Sequence, residues 1–470
     1  MSRLIDPTSL AFLIAENRTM PMHVGSLQLF AAPEGAPPDY ARRVYEQLIG
    51  DPDVSPLFLK RPVRSWRTGG QWMWEQDTQF DIEHHVRHSA LPQPGRIREL
   101  LDLCSRLHGT RLARERPLWE AHVIEGLQDG RFAIYVKLHH SLIDGVAAGR
   151  LMQASMSTDP TDTRIVPMWS ASLHRGREPV DITAATAVPT PDVSSDPAGV
   201  AMGLITDVAG LPGALVHTLR RGFRDETSAV SLHAPVSIFN TTITGSRRFA
   251  AQSWQLDRLS AIAQSAGTTV NDVVLAMCGG AVRGYLEDLG ELPDASLVAM
   301  VPIGLNARDA GSASGAGGNA IGSVMAKLST DVSDPGQRLA RIHAAMTDGK
   351  ESLSSMTPNQ IVAMSAVGMA PAILLPMLRM QDLVRPPFNL VISNVPGPSE
   401  RYYLGGAEMV GTYPLSIPMQ GMALNITCAS YAGSMEFGLT GCRRSVPHLQ
   451  RLLRLLDDEL IQLERATGVA

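Results

Sequence analysis

The chain has 470 residues, of which 44% are hydrophobic and 19% are charged, a composition typical of a globular protein and not of a disordered one. Its net charge of −5 gives no basis for nucleic-acid binding, which requires a strongly basic surface. The four cysteines include no CxxC pair, which indicates a reduced protein without a disulfide framework or a cysteine-bound metal.

The first 126 residues predict short helices and strands in alternation. Asp51-Pro52 ends one helix, because proline removes a backbone donor and restricts the residue before it. Arg116-Pro117-Leu118-Trp119 forms a turn that leads into a strand, and we expect Trp119 to pack in the core. The predicted elements are helices over 9–16, 40–49 and 95–114 and strands over 24–30 and 121–126.

Three histidines lie close together in the sequence, at His84, His85 and His88. Histidines four residues apart can chelate a metal. No cysteine or second ligand pair lies nearby, so we interpret this group as a solvated polar patch and expect no metal site.

A strand is predicted over 132–138, where apolar residues alternate with other residues. The sequence His139-His140-Ser141-Leu142-Ile143-Asp144-Gly145 follows, and a helix is predicted over 141–156. Side-chain alternation assigns His140 to the strand face of Phe132, which we expect to be the drier one. A histidine there can act as a general base near neutral pH. Gly145 would allow a tight bend where a side chain would block a substrate.

A linker is predicted over 159–198, where prolines interrupt a stretch rich in Thr, Ser and Asp. Residues 200–223 are amphipathic, which is compatible with a packed connecting helix or a membrane-surface helix. Residues 311–322 are rich in glycine and serine and predict a mobile loop. The apolar segment 361–380 is interrupted by two prolines and predicts two short helices in place of a membrane span.

The second half again mixes helices and strands, and it shows no strict sequence repeat of the first half. Periodicity alone predicts an α/β or α+β protein with two lobes. The predicted elements are strands over 248–256, 297–303 and 390–395, helices over 257–267 and 271–289, a hairpin over 424–440, and a C-terminal amphipathic helix carrying Leu449, Leu452, Leu453, Leu456, Leu460 and Leu463.

Five segments together resemble one known family. The sequence HHSLIDG is similar to the HHxxxDG motif of the CoA-dependent acyltransferases, which include chloramphenicol acetyltransferase and peptide condensation domains. The other four, taken in order, resemble motifs of the bacterial wax ester synthase/diacylglycerol acyltransferases. They are Met20-Pro21-Met22-His23-Val24-Gly25, Arg116-Pro117-Leu118-Trp119, Asn271-Asp272-Val273-Val274-Leu275-Ala276 and Ser393-Asn394-Val395-Pro396-Gly397-Pro398. The resemblance extends over residues 4–465.

The resemblance implies an α/β fold of two chloramphenicol-acetyltransferase-like subdomains with the active site between them. The implied divisions are an N-terminal subdomain over 1–165, a linker or crossover over 166–235 and a C-terminal subdomain over 236–470. The implied reaction is direct transfer of a long-chain acyl group from acyl-CoA to diacylglycerol or a long-chain alcohol. No cofactor is expected beyond acyl-CoA as co-substrate, and the oligomeric state is left open.

Roles for individual residues follow from the same resemblance. His140 would be the general base, with His139 in support, and Asp144 would hold the loop through an ion pair with an arginine. Asn271 would either donate to the oxyanion or cap its helix. The residues implied in substrate binding are Gly145, Pro117, Leu118, Trp119 and Asp272.

The sequence also leads to expectations about the location of the protein and about alternative functions. The N-terminus lacks the apolar core of a signal peptide, so we expect a cytoplasmic protein, with peripheral contact at the inner membrane face or at lipid droplets. Ser9, Ala113 and the segment 441–443 depart from the family pattern, and these departures bear on substrate preference and not on the chemistry of His140. The alternatives are an acyltransferase using another acceptor or a carrier-bound donor, a non-catalytic lipid-binding protein, and a generic α/β hydrolase. No GxSxG motif supports the hydrolase.

Overall fold

The computed structural model describes residues 3–51, 53–64, 69–174, 234–304, 321–354 and 386–469. These residues form three β-sheets with helices packed on them. The strands are β1 (Arg3–Leu4), β2 (His23–Ala31), β3 (Lys60–Arg64), β4 (Trp72–Gln76), β5 (Val86–Ala90), β6 (Trp119–Glu125), β7 (Phe132–His139), β8 (Arg247–Gln255), β9 (Val298–Gly304), β10 (Ile321–Lys327), β11 (Leu390–Val395), β12 (Tyr403–Leu404), β13 (Ala407–Leu415), β14 (Leu424–Tyr431) and β15 (Ser434–Cys442). The α-helices are α1 (Pro7–Ala15), α2 (Tyr40–Gly50), α3 (Pro56–Leu59), α4 (Ile82–His85), α5 (Ile97–Gly109), α6 (Gly145–Ala154), α7 (Leu256–Ala266), α8 (Val270–Leu289), α9 (Pro335–Ser354) and α10 (Arg451–Thr467).

The first large sheet has the strand order β12-β13-β2-β7-β6-β5, so β7 lies inside it. Every residue of β7 is buried, because both faces of the strand are covered. Phe132, Ile134, Val136 and Leu138 pack in a cluster that includes residues of α2 and α6. Ala133 and Tyr135 pack in another cluster with residues of α5. The face of Phe132 is dry as expected, and the opposite face is dry as well.

The second large sheet has the order β10-β9-β11-β14-β15-β8, with α7, α8, α9 and α10 in its core. Helix α8 begins at a capping box in which Thr269 and Asp272 each accept the other's backbone amide. At Gly280 a Cβ would overlap the carboxylate of Glu459, which forms a buried ion pair with Arg338. The glycine therefore leaves room for an ion pair that joins α9 to α10 across α8.

Strand β13 belongs to the second half of the chain but pairs antiparallel with β2 of the first sheet. It also contacts β15 and β8 of the second sheet, and the carbonyl oxygen of Pro414 lies where a Cβ of Gly438 would be. The segment 236–470 is thus not self-contained. The predicted domain boundaries themselves stay a prediction, because residues 175–233 lie outside the described part.

The α/β class is confirmed, and most predicted elements of regular structure are present within a few residues of their predicted ends. Several elements were not predicted; the longest of them are α9, β10 and β13. The amphipathic stretch 200–223, the apolar segment 361–380 and most of the glycine-rich stretch 311–322 lie outside the described residues. Residues 321 and 322 of that stretch begin β10. Among the helices that the structure describes, none is long and apolar enough to cross a bilayer.

Candidate active site

The two adjacent histidines lie where β7 ends. His139 is the last residue of β7 and pairs with His23 of β2. His140 lies just beyond the strand, and its amide donates to the Met22 carbonyl over 2.9 Å. This hydrogen bond continues the pairing of β7 with β2 by one residue.

The imidazole of His139 is buried and its orientation is fixed. The Ser141 amide donates to His139 Nδ1 over 3.1 Å, so Nδ1 accepts and Nε2 carries the proton. Nε2 lies 3.6 Å from Glu16 Oε1. Because Ser141 Oγ is 2.7 Å from His139 Nδ1, this hydroxyl is engaged with His139 and not with His140.

Glu16 follows α1 and supplies the carboxylate beside His139. Burial alone would raise the pKa of Glu16, but His139, the Met22 amide and Arg114 together hold it below its usual range. Arg114 donates from Nε and Nη2 to Glu16 Oε2 over 3.3 and 3.2 Å. Sequence reasoning assigned no role to Glu16 or Arg114. The available signal was a single acidic residue at the end of an otherwise uncharged, apolar helix.

His140 has a different environment. Its ring stacks on Phe12 of α1, with ring centroids 4.3 Å apart and planes inclined by 15°. Burial lowers the pKa of His140, while its own backbone carbonyl and the charge of Asp144 oppose the shift and His139 adds to it. The imidazole is therefore neutral at neutral pH and has a lone pair available to accept a proton.

Asp144 caps α6, since its Oδ1 accepts the Ala147 amide over 2.8 Å. No arginine pairs with Asp144 among the residues that the structure describes, so the expected ion pair is not found there. Gly145 is exposed, its φ is not positive, and an added Cβ would have no neighbour within 4 Å. The tight bend proposed for Gly145 was therefore wrong, and the space above it is open.

Pro117, Leu118 and Trp119 lie in the protein interior and not on an open surface. Trp119 is fully buried, donates from Nε1 to the Phe58 carbonyl over 2.8 Å, and stacks on Trp169. Leu118 and Trp119 are 0% exposed, so neither side chain lies at an open surface, and the substrate-binding role inferred for this turn stays a prediction. The turn contributes to the site indirectly, because the Leu118 carbonyl accepts the His139 amide over 3.0 Å.

The predicted histidine patch is only partly solvated. His85 is buried, stacks on Trp119 with centroids 4.7 Å apart, and has Nδ1 2.8 Å from the Trp119 carbonyl. Burial lowers the pKa of His85 to about 4. His88 stacks on Tyr45 at the edge of the same region. His85 is thus a core residue of the first subdomain.

Asn271 and Asp272 begin α8 in the second subdomain and have different roles. The N-cap of this helix is Thr269. Asn271 is therefore not the cap, which was one of the two roles considered for it. Asn271 Oδ1 accepts from Asn394 Nδ2 over 3.4 Å. Asp272 is buried, and its Oδ2 accepts from Thr269 and from His343 Nδ1 over 2.8 Å. Asp272 is therefore held in the protein interior, and its expected contact with substrate stays a prediction.

A cavity of about 670 Å³ lies near the start of β7, lined by Pro33, Tyr40, Arg131 and Phe132 among others. Seven residues of extended strand, roughly 23 Å, separate Phe132 from His139. This cavity is therefore not part of the histidine site.

Comparisons with known proteins agree on one family. Residues 5–274 match the wax ester synthase/diacylglycerol acyltransferase catalytic domain, and residues 317–464 match the C-terminal domain of the same family. A probable diacylglycerol O-acyltransferase of Mycobacterium tuberculosis is 46% identical over 99% of this chain and 100% of its own length.

Solved structures give the same result for the fold. A wax ester synthase/diacylglycerol acyltransferase from Marinobacter aquaeolei superimposes with a TM-score of 0.79 at 40% identity, covering 99% of this chain and 100% of that one. The first condensation domain of the CDA synthetase has a TM-score of 0.53 at 15% identity, covering 100% and 97% of the two chains, and shows likeness of fold alone. The two-subdomain acyltransferase fold is thereby confirmed.

Proposed function

The chain belongs to the wax ester synthase/diacylglycerol acyltransferase family, and from this membership we propose that it transfers a long-chain acyl group from acyl-CoA to diacylglycerol and to long-chain alcohols. It is an O-acyltransferase. The observation that carries the proposal is the environment of His140, whose neutral imidazole lies beyond a rigid buried strand with no hydrogen bond to another residue in the described chain.

The proposed reaction is one direct transfer. His140 takes the proton of the acceptor hydroxyl while the hydroxyl oxygen forms a bond to the thioester carbonyl carbon. The tetrahedral species then collapses, the C–S bond breaks, and the imidazolium returns the proton to the leaving CoA sulfur. Ser141 supports direct transfer because its hydroxyl is engaged with His139, and the four cysteines are buried. We propose no cofactor beyond acyl-CoA as co-substrate.

Asn271 is proposed as the donor to the oxyanion. Its Oδ1 already accepts from Asn394, which leaves its NH₂ group free to donate elsewhere. It lies in the first turn of α8, where the helix dipole favours negative charge. A donor of this kind typically contributes about 10²–10³-fold in rate.

One assay tests this function. The purified chain is incubated with labelled acyl-CoA and, separately, with diacylglycerol, a long-chain alcohol and an amine as acceptors, and with a carrier-bound acyl donor. We expect ester formation from acyl-CoA, and a loss of about 10²–10⁴-fold in folded His140→Ala. Turnover only with the carrier-bound donor, or a fully active His140→Ala, would contradict the proposal.

We also propose a cytoplasmic location with peripheral contact at a lipid surface, through apolar side chains near α1. Leu4 and Ile14 are 56% and 55% exposed, and Ile14 lies on α1 itself. In a liposome flotation assay, Leu4→Asp and Ile14→Asp should release the protein. Leu289→Asp, at another exposed apolar position near the end of α8, should not. Equal flotation of all three variants would place the contact elsewhere.

A further inference from the structure

Phe12 covers one face of the His140 imidazole. The two rings are parallel to within 15°, with centroids 4.3 Å apart. Phe12 is half-buried and packs against a small cluster of Ala15, Met20, Met22 and Ile417. No family motif quoted above includes this residue, and its ring is the only aromatic contact of His140 within the described chain.

Helix α1 is held on both sides of Phe12, so the stack is fixed by its surroundings. Leu13 is buried in a cluster with Leu118, whose carbonyl accepts the His139 amide. Glu16 is held by Arg114 and the Met22 amide and faces His139. The contacts that place α1 therefore also place the end of β7, and the Phe12 ring stays in register with the His140 ring.

The stack matters because His140 gains a positive charge during the reaction. A cation within about 6 Å of a ring centroid is attracted by the negative face of the ring, more strongly when water is excluded. The same ring face stabilises a neutral imidazole much less than an imidazolium. The groups that act on the charge of His140 are Asp144 of α6, its own carbonyl, and His139, which opposes it.

We propose that Phe12 is a positioning residue of the transfer reaction, which fixes the plane of the His140 ring and stabilises the imidazolium formed when the acceptor hydroxyl loses its proton. An interaction stronger in the transition state than in the ground state raises kcat and leaves substrate affinity unchanged. The inference rests on the proposed role of His140 as general base.

The test compares three variants. Phe12→Leu keeps an apolar cover but removes the ring face, so kcat should fall about three- to thirty-fold with KM for both substrates nearly unchanged. Phe12→Tyr keeps the face and should restore kcat. The matched control is Phe80→Leu, which removes a ring that stacks in the same way on His85, with centroids 5.0 Å apart and planes at 18°. Since His85 lies in the core, this control should leave kcat unchanged.

The titration of His140 separates this role from simple packing. With its ring carbons labelled and assigned against His140→Gln, NMR without substrate should show the pKa of His140 lower in Phe12→Leu, because burial stays and the favourable face is lost. Phe12→Ala also admits water to the imidazole, so in this variant the pKa of His140 should rise toward about 6.5.

Two results would overturn the proposal: an unchanged titration and kcat in Phe12→Leu, or equal losses in Phe12→Leu and Phe12→Tyr. Failure of the general-base assignment itself would appear separately, as activity in His140→Ala.

Discussion

His140 is half-buried and differs from the buried His23, His108 and His139 in what its ring contacts. His23 Nε2 lies 2.8 Å from the His108 carbonyl, and His108 Nδ1 lies 2.9 Å from Tyr135 Oη. His139 is held by Ser141 and Glu16. These rings have fixed partners and structural roles. The His140 ring has an aromatic cover and its own carbonyl, an arrangement that leaves one nitrogen available for proton transfer.

Asn271 gives the first prediction at the scale of single residues. Because Thr269 is the cap of α8, Asn271→Ala should leave the melting temperature nearly unchanged. An oxyanion donor would instead be lost, so kcat should fall about 10²–10³-fold while the affinity for acyl-CoA stays the same. Thermal unfolding measures the melting temperature, and steady-state kinetics on the same preparation measure kcat and the dependence on acyl-CoA. A lower melting temperature with normal turnover per folded molecule would remove Asn271 from the mechanism.

Gly145 gives the second prediction. An added Cβ meets no protein atom within 4 Å, so Gly145→Ala should fold with unchanged or slightly higher stability. If substrate occupies that space, kcat/KM should fall roughly tenfold or more, since one methyl group matters that much in a fitted site. Gly149→Ala, one turn later in α6 and equally open, is the matched control. Wild-type kinetics in both variants would show that the open space is not used.

The residue scale also shows what the sequence could predict. His139, His140 and Asp144 are recognisable because the motif is local, within six residues of chain. Phe12 and Glu16 contact the two histidines, and Arg114 contacts Glu16, across long stretches of sequence, so all three were missed. Trp119 and Asp272 were assigned to substrate because a motif does not reveal burial, and both are buried.

At the scale of elements, the cap of α6 revises one expectation. Asp144 accepts the Ala147 amide, and asparagine caps helices about as well as aspartate. Asp144→Asn should therefore keep the melting temperature but further lower the pKa of His140, because the favourable charge is lost. Asp144→Ala should lose about 1 kcal/mol of unfolding free energy. Denaturant titrations measure this, and equal destabilisation by both variants would instead indicate an ion pair.

Elements differ in how well the sequence predicted them. The helix α10 and the hairpin β14–β15 follow clear periodic patterns: five of the six leucines of the predicted C-terminal helix lie in α10, and the hairpin was predicted close to its ends. Strand β13 was missed, because Gly411 and Pro414 are residues that weaken or exclude a strand. Its pairing with β2 provides the missing stabilisation, and such a partner cannot be read from local sequence.

At the scale of the whole molecule, Glu436 links the stability of the protein to pH. It is 2% exposed and lies at the junction of the two sheets, where Ser253 of β8 donates to it and Tyr413 of β13 lies alongside. Burial raises the pKa of Glu436 to about 7. The folded state therefore holds a proton that the unfolded chain has lost above about pH 4.5, and the stabilisation disappears as pH rises through 7.

Glu436→Gln should therefore flatten the pH dependence of stability. Between pH 5 and pH 8 the wild type should lose up to roughly 3 kcal/mol more unfolding free energy than the variant. Burial also raises the pKa of Glu459 to about 7. Glu459 is present in both proteins, so it contributes equally to the pH dependence of their unfolding free energies. Glu408→Gln is the control, because Glu408 of β13 forms a surface ion pair with Arg401. Identical slopes in wild type and Glu436→Gln would contradict the assignment.

The pairing of β13 with β2 also constrains the order in which the protein can fold during synthesis. Strand β2 leaves the ribosome with one edge open, and its neighbour begins at Ala407. At roughly 5–20 residues per second, the ribosome needs roughly 20 to 75 seconds to translate the intervening chain between Ala31 and Ala407. An open strand edge is prone to pair with other chains. A nascent chain of this protein therefore needs protection of that edge, by a chaperone or by slow strand formation, until β13 is made.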